Sequence, residues 1–183
     1  MSEEKDILNY YFFENLFNDE EIKHIEQLAE ERDKIDATTF SGSEVRDIRK
    51  SKIVWLGFES DTEWLFKKIM DAFQEANRNC FQFDWNGETE AIQFTEYDER
   101  YKGHYDWHID MGPDKQRRKF SGVIFLTDDH EGGKLQLWEK DISKIQKKGS
   151  MVIFPSFLLH KVTPVTKGLR KTLVCWANGD PFK

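Results

Sequence analysis

The residues of this chain with the clearest capacity for chemistry are His108, Asp110 and His160. Two histidines and one carboxylate are the ligand set that holds a non-haem Fe(II) ion on one face and leaves the opposite face open. Arg170 and Thr172 follow the second histidine, and the planar fork of an arginine is suited to bind the carboxylate of a cosubstrate. Together these residues predict an oxygenase that uses 2-oxoglutarate and O2.

A β-strand is the element that would position the first two ligands. Alternate residues of a strand point to the same face. We therefore expect His108 and Asp110 to share a face and Ile109 to face away from them. The third ligand, His160, must then come from another strand across the fold.

The predicted cosubstrate pocket rests on the same alternation. Arg170 and Thr172 would share one face of a strand, with Trp176 further along that face. The arginine would hold the C5 carboxylate of 2-oxoglutarate, and the threonine hydroxyl would add a hydrogen bond. Gln93 and Tyr97 share a face of an earlier strand, and Tyr97 is interpreted either as a pocket residue or as a tyrosine of the core.

Hydrophobic periodicity predicts two helices and then a long series of strands. The helices are expected over Asp19–Arg32, with Asp19 as the cap, and over Asp61–Arg78. The polar stretch Asp36–Lys50 between them is interpreted as a loop long enough to serve as a flap. The predicted strands are Ser51–Phe58, His104–Asp110, Phe120–Leu126, Lys134–Trp138, Ser150–Pro155, His160–Thr163 and Leu169–Trp176.

The dipeptide Asn86-Gly87 predicts a β-hairpin that joins Phe81–Trp85 to a second strand ending at Tyr97. Helices followed by many short strands indicate an α+β, mainly β fold: a β-sandwich or open barrel supported on one side by helices. We interpret 1–183 as a single domain, with 1–80 as helical support and 81–178 as the strand core.

The composition is that of a globular protein, with 38% hydrophobic and 33% charged residues. A formal net charge of -7 disfavours nucleic acid as a partner, and the basic cluster Lys115–Lys119 is interpreted as a solvated loop. Cys80 and Cys175 lack a C-x-x-C arrangement and are expected to be buried thiols in a reducing cytoplasm. We expect no secretory signal and no membrane association, because no apolar run approaches about 20 residues.

The motifs around the candidate site resemble a known family. The matching pieces are Tyr97, Gly103, Tyr105-x-x-His108-x-Asp110, Arg118-x-x-Ser121, Gly132-Gly133-x-Leu135, Phe154-Pro155-Ser156-x-x-x-His160 and Gly168-x-Arg170-Lys171-Thr172. They are similar to motifs of the Fe(II)/2-oxoglutarate-dependent dioxygenases of the prolyl 4-hydroxylase type, above all the PKHD-type hydroxylases of bacteria and phages. The resemblance covers roughly residues 90–177, and the N-terminal half matches only in layout.

The resemblance implies a double-stranded β-helix, or jelly roll, with N-terminal supporting helices. It also implies Fe(II), 2-oxoglutarate and O2, with ascorbate as reductant. By the resemblance, the metal ligands and catalytic residues are His108, Asp110 and His160, and the cosubstrate residues are Arg170, Thr172, Tyr97 and Leu135. Phe125 stands where some prolyl hydroxylases have a tyrosine, which puts extra weight on Thr172.

The predicted activity is hydroxylation of an unactivated C–H bond, with a prolyl residue of a peptide or protein as the leading substrate. A free amino acid or another small metabolite is the alternative. The candidate substrate residues are Tyr105, Trp107, Gln93 and Trp176. The sequence leaves the identity of the substrate and the oligomeric state open.

Two other functions would use the same residues differently. A zinc hydrolase would use the two histidines and the aspartate to activate water, but it would have no use for Arg170. A jelly roll that recognises a sugar or peptide through its aromatic side chains would carry a vestigial metal site, which the complete ligand set disfavours.

Overall fold

A computed structural model describes residues 10–37 and 48–182 of the chain. Short helical turns occur at Asn77–Phe81, Glu99–Tyr101 and Ser143–Ile145. In chain order, the helices and strands of the described residues are β1 (Tyr11–Phe13), α1 (Asp19–Glu30), β2 (Ile35–Asp36), β3 (Arg49–Lys50), β4 (Lys52–Leu56), α2 (Glu63–Ala76), β5 (Glu88–Thr89), β6 (Ile92–Asp98), β7 (His104–His108), β8 (Arg118–Phe125), β9 (Glu131–Gly132), β10 (Leu135–Leu137), β11 (Met151–Pro155), β12 (His160–Val162), β13 (Val165–Lys167) and β14 (Leu169–Asn178).

The strands form two main antiparallel sheets with one cavity between them. The larger sheet has the strand order β1-β11-β8-β14-β6-β4-β2, and β5 also pairs with β14. The smaller sheet has the order β10-β12-β7-β3, and β13 pairs separately with β9. Side chains of both main sheets line the same cavity. This is the arrangement of a double-stranded β-helix, so the predicted α+β, mainly β jelly roll is confirmed.

Strand alternation separates two hydrophobic clusters. On β8, Ile124 packs with Phe73 of α2 in the cluster between the helices and the larger sheet. Val123 and Phe125, its neighbours in sequence, belong to the inner cluster between the two sheets. Because successive strand residues face opposite sides, one strand can support the helices and line the cavity at the same time.

The first helix is capped by Asn18, one residue before the predicted cap. The side chain of Asn18 accepts a hydrogen bond from the Glu21 backbone N–H at 2.9 Å, and the Glu21 carboxylate accepts one from the Asn18 N–H at 2.9 Å. The prediction that Asp19 caps the helix is therefore wrong, because Asn18 and Glu21 form a reciprocal capping box. The buried stripe of α1 consists of Ile22, Ile25, Leu28 and Ala29.

The hairpin predicted at Asn86-Gly87 is wrong. Phe81 ends a π-helical turn, residues 82–87 form no strand, and β5 pairs with β14 instead. The rings of Phe81 and Phe83 lie 5.2 and 5.3 Å from the ring of Phe120, measured between centroids. Aromatic packing against β8, rather than local strand pairing, therefore directs this segment.

The remaining predicted strands are present as β4, β7, β8, β10, β11, β12 and β14. The segment before residue 81 also contributes strands, since β1 and β4 join the larger sheet through β11 and β6. The basic cluster is not a solvated loop throughout, because β8 begins at Arg118 and both Arg118 and Lys119 are buried. Cys175 is buried as predicted, whereas Cys80 is only partly buried.

The predicted loop over Asp36–Lys50 lies largely outside the described residues, which omit 38–47. Its two ends form the short strands β2 and β3. Among the residues that the structure describes, no helix combines the length and the apolar character needed to cross a bilayer.

Candidate metal and cosubstrate site

His108, Asp110 and His160 converge on one region of the cavity. His108 ends β7, His160 begins β12, and the two residues pair across the smaller sheet. The Nε2 atom of His108 lies 3.7 Å from Oδ1 of Asp110, and Nε2 of His160 lies 3.6 Å from Oδ2 of Asp110. One ligand atom from each residue lies within 4.8 Å of the others. A single metal ion can therefore contact all three side chains.

Backbone carbonyls orient both imidazole rings. Nδ1 of His108 lies 2.7 Å from the carbonyl oxygen of Asp106, and Nδ1 of His160 lies 2.8 Å from that of Leu158. In a neutral ring, Nδ1 then donates its proton to the carbonyl and leaves the lone pair of Nε2 free for a metal. Burial, together with the charge of His160, lowers the pKa of His108 to about 4, so this ring is neutral at pH 7.

Asp110 lies beyond the end of β7 and not on the strand. The predicted strand His104–Asp110 stops at His108, and Ile109 lines the cavity instead of facing away from it. The Asp110 backbone N–H donates to the carbonyl oxygen of Ser156 at 2.9 Å. A tertiary hydrogen bond thus positions this ligand, and the predicted alternation within one strand is wrong here.

The Asp110 carboxylate is held by hydrogen bonds on one oxygen. Its Oδ2 accepts from Oγ of Ser121 at 2.6 Å and from Nε1 of Trp176 at 3.0 Å. Burial alone would raise the pKa of Asp110, but His160, His108 and these two hydrogen bonds together lower it to about 2. Among the described residues only Oδ2 receives such hydrogen bonds, which leaves Oδ1 as the oxygen available to a metal.

A partly buried ion pair lies next to this arrangement. The Arg118 guanidinium donates to both carboxylate oxygens of Glu90, at 2.7 and 2.6 Å. It also donates to the backbone carbonyl of Asp110 at 3.2 Å and lies 3.9 Å from the centre of the Trp176 ring. Spacing alone did not predict that Glu90, Arg118 and Ser121 hold Asp110 and its neighbours. For Arg118 and Ser121, the available signal was their polar character within the largely apolar strand β8.

Arg170 and Thr172 form the opposite part of the site. Arg170 is only 2% exposed, and its guanidinium carbon lies 5.1 Å from the ring centre of Tyr97 and 5.8 Å from that of Phe125. Nε and Nη2 of Arg170 and Oγ1 of Thr172 are buried without a hydrogen-bond partner among the described residues. Burial lowers the pKa of Arg170 to about 10, so the side chain is charged at pH 7. These donors are free to bind a carboxylate.

Every site residue predicted from the sequence lines one cavity of about 820 Å³. Leu135 is buried beside the Arg170 part of the cavity, and Gln93 is buried as well, while Trp107 is 38% exposed at the mouth. The Tyr105 ring stacks on the His108 ring with 3.4 Å between centroids. Burial raises the pKa of Tyr105 to about 12, which keeps its hydroxyl protonated.

Comparison with known proteins agrees with this geometry. Residues 92–178 match the sequence model of the 2OG-Fe(II) oxygenase superfamily. This similarity covers a little under half of the chain. A PKHD-type hydroxylase of Pseudomonas fluorescens is 36% identical over 87 residues, which cover 40% of this chain and 38% of the relative. One of Gloeothece citriformis is 42% identical over 79 residues, which cover 39% and 36%. The chain thus spans less than two fifths of the length of these curated relatives.

Solved structures of two prolyl hydroxylases share the fold. A prolyl-4-hydroxylase of Pseudomonas putida superposes with a TM-score of 0.73 at 19% identity, over 94% of both chains. A prolyl hydroxylase from Trichoplax adhaerens, in complex with a hypoxia inducible factor peptide fragment, gives a TM-score of 0.76 at 16% identity, over 93% of this chain and 83% of the other. The fold implied by the resemblance to the prolyl 4-hydroxylase type is confirmed.

Proposed function

We propose that this chain is a 2-oxoglutarate-dependent dioxygenase that hydroxylates an unactivated C–H bond. The proposal is carried by one observation: a His-Asp-His ligand set shares its cavity with a buried arginine whose donors have no partner among the described residues. A metal ligand set alone would suit many enzymes. The free donors of Arg170 and Thr172 add a place for the carboxylate of a cosubstrate, which a zinc hydrolase would not need.

The donor set fits Fe(II) and 2-oxoglutarate. His108, Asp110 and His160 offer two imidazoles and one carboxylate oxygen, and this ligand set leaves positions open for cosubstrate and O2. With 2-oxoglutarate and O2, the bound iron would supply the oxidising chemistry that converts C–H to C–OH and yields succinate and CO2. Ascorbate is the proposed reductant that keeps the iron in the ferrous state.

The chain itself would bind, orient and exclude water. Arg170 and Thr172 would hold the C5 carboxylate, and Leu135 would pack against the carbon chain of the cosubstrate. The rings of Tyr97 and Phe125 enclose the guanidinium, and this low-dielectric surrounding strengthens its attraction to an anion. Ser121 and Trp176 would keep the Asp110 carboxylate in its binding orientation throughout.

We propose a prolyl residue of a peptide or protein as the substrate. Two solved structures of similar fold are named as prolyl hydroxylases, and one of them contains a peptide fragment. The mouth of the cavity carries exposed apolar side chains, among them Trp107 and Ile109, which offer a surface for an extended chain. The proposed substrate contacts are Tyr105, Trp107, Gln93 and Trp176, and the proposed compartment is the cytoplasm.

Anaerobic titration with Fe(II) and 2-oxoglutarate tests the proposal. We expect a weak visible absorption band from the chelate. Admission of O2 with ascorbate should then release succinate in a screen of prolyl peptides, free amino acids and small metabolites. Asp110→Ala should lose the band and the turnover, whereas Asp71→Ala, an exposed aspartate of α2, should retain both. No band in the unaltered chain, or Zn(II)-dependent hydrolysis in its place, would contradict the proposal.

A further inference from the structure

Arg49 is a third buried arginine on the wall of the cavity, besides Arg170 and Arg118. It is 9% exposed, and β3 places it opposite Tyr105 of β7. Its guanidinium carbon lies 4.7 Å from the centre of the Tyr105 ring, which in turn stacks on the His108 ring. A single aromatic ring therefore separates the charge of Arg49 from a candidate metal ligand.

Neutral acceptors hold the Arg49 side chain. Its Nε donates to Oγ of Ser51 at 2.9 Å, and its Nη2 donates to Oε1 of Gln93 at 2.7 Å. Among the described residues, no carboxylate forms an ion pair with Arg49, whereas Arg118 in the same cavity is paired with Glu90. Burying a charge against neutral partners alone is unfavourable, and an incoming anion would offset that cost.

Arg49 belongs to a different part of the cavity from Arg170. Gln93, its hydrogen-bond partner, stands opposite Val174 on β14, whereas Arg170 stands opposite Tyr97. Residues 170 and 174 are separated by roughly 13 Å along a strand that rises about 3.3 Å per residue. Gln93, which holds Arg49, therefore lies at a different level of the cavity wall from Arg170.

The surroundings of Arg49 are those of a substrate pocket. Trp55 pairs with Gln93 across the sheet, is 42% exposed and lines the cavity. Trp107, also partly exposed, lines the cavity on the other main sheet. A fixed cation between partly exposed aromatic rings suits an organic acid better than an uncharged polypeptide segment.

We propose that Arg49 receives a carboxylate of the substrate. The C–H bond to be oxidised would then lie in a free amino acid, in a carboxyl-terminal residue, or beside an acidic side chain. Ser51 and Gln93 hold the guanidinium in place before binding. Its remaining N–H groups would then donate to the anion, and the Arg49 side chain would lose little conformational entropy. This inference rests on the proposed function, because it assumes that the cosubstrate occupies Arg170.

A pair of probes that differ in one charge tests this role. N-acetylglycine carries a carboxylate, and N-acetylglycinamide carries an amide in its place. Their binding to the chain loaded anaerobically with Fe(II) and 2-oxoglutarate can be followed by fluorescence, because Trp55, Trp107 and Trp176 line the cavity. We expect the acid to bind at least about tenfold more tightly than the amide, as a hydrogen-bonded charge pair would give.

Substitutions of Arg49 test whether this residue causes the preference for the acid over the amide. Arg49→Gln should bind acid and amide equally, and Arg49→Lys should keep part of the preference because it keeps the charge. Arg78→Gln, a matched change at an exposed arginine outside the cavity, should leave the preference intact. The absorption band of the Fe(II)–2-oxoglutarate chelate, recorded on the same samples, verifies that the site is assembled in each variant.

The outcomes separate the two proposals. Three results, each with a normal absorption band, would overturn the role of Arg49 alone. They are equal binding of acid and amide, the absence of a saturable fluorescence change, and a preference for the acid that survives in Arg49→Gln. A missing band in the unaltered chain would refute the proposed function and the role of Arg49 with it.

Discussion

The two ends of the cavity-facing side of β14 differ in whether their buried polar groups have hydrogen-bond partners. At one end, Trp176 and its neighbour Ser121 donate to the Asp110 carboxylate. At the other end, Arg170 and Thr172 keep buried polar atoms without a partner among the described residues. The hydrogen bonds to Asp110 form within the chain, whereas we expect a ligand to supply the partners of Arg170 and Thr172.

The contrast follows from what each end would bind. A metal ligand has to be held in one orientation, and hydrogen bonds to its second oxygen do this. A carboxylate anchor has to keep its donors free, and the Arg170 guanidinium lies beside the rings of Tyr97 and Phe125. The Arg170 end therefore lowers the stability of the unliganded chain, because unpaired buried donors are unfavourable.

Arg170→Met should break the contrast most strongly. It removes the unpaired buried charge, so the free energy of unfolding of the unliganded chain should rise by about 1 to 3 kcal/mol. Binding of 2-oxoglutarate should weaken by about 100-fold or more, since two charge-assisted hydrogen bonds are lost. Urea unfolding and a 2-oxoglutarate titration measure the two effects, with Arg78→Met as the exposed control. A variant that is less stable and still binds 2-oxoglutarate would contradict the comparison.

Glu90→Gln tests the support behind the Asp110 end. Burial alone would raise the pKa of Glu90, but the Arg118 guanidinium lowers it below the usual 4.5. Because the pKa is lower in the folded chain, this pair stabilises the fold above about pH 4.5, and the effect disappears as the pH falls through the folded pKa. The variant should lose about 1 kcal/mol at pH 7, because the pair is only partly buried.

Urea unfolding across about pH 3 to 7 checks this expectation. The charge of Glu90 can stabilise the folded chain only at pH values above the pKa that Glu90 has in the folded chain. The stabilities of Glu90→Gln and the unaltered chain should converge at acid pH. A constant difference between them at every pH would show that the charge of Glu90 is not responsible. Glu88→Gln, which removes an exposed pairing with Arg117, is the matched control and should change stability little.

Trp176→Phe sharpens the role of one hydrogen bond to Asp110. It keeps an aromatic ring beneath Arg118 but removes the N–H that donates to Oδ2. Metal affinity should fall by about tenfold, at the lower end of the range for groups that orient a metal ligand. Anaerobic Fe(II) titration provides the measurement, and Trp138→Phe at an exposed tryptophan is the control. Unchanged metal affinity would show that Ser121 alone holds the carboxylate.

Thr172→Val should give the smallest effect, at the opposite end. The hydroxyl has no partner among the described residues, so its removal should change the stability of the unliganded chain by less than about 1 kcal/mol. Binding of 2-oxoglutarate should weaken by about fivefold, the equivalent of one hydrogen bond. Parallel unfolding and titration experiments measure both quantities. A large loss of stability would mean that the hydroxyl supports the fold instead of the cosubstrate.

Much of the fold could be predicted because strand and helix patterns are local. Alternation along β14 placed Arg170, Thr172 and Trp176 on one face, and all three line the cavity. The same reasoning failed at Asn86-Gly87, where a strong hairpin signal was overridden by the packing of Phe81 and Phe83 on Phe120. Local turn preference amounts to little against the burial of several aromatic rings.

The sequence by itself determined the chemistry available to this protein: two histidines, a carboxylate, and an arginine on a strand of predictable alternation. Only the tertiary structure decided how these groups are held. Asp110 is positioned by Ser156 and Ser121, and Arg49 of the smaller sheet reaches Gln93 of the larger sheet. Side-chain direction within a strand depends on neighbouring residues, whereas hydrogen-bond partners depend on which distant strands pair, and no local spacing encodes that.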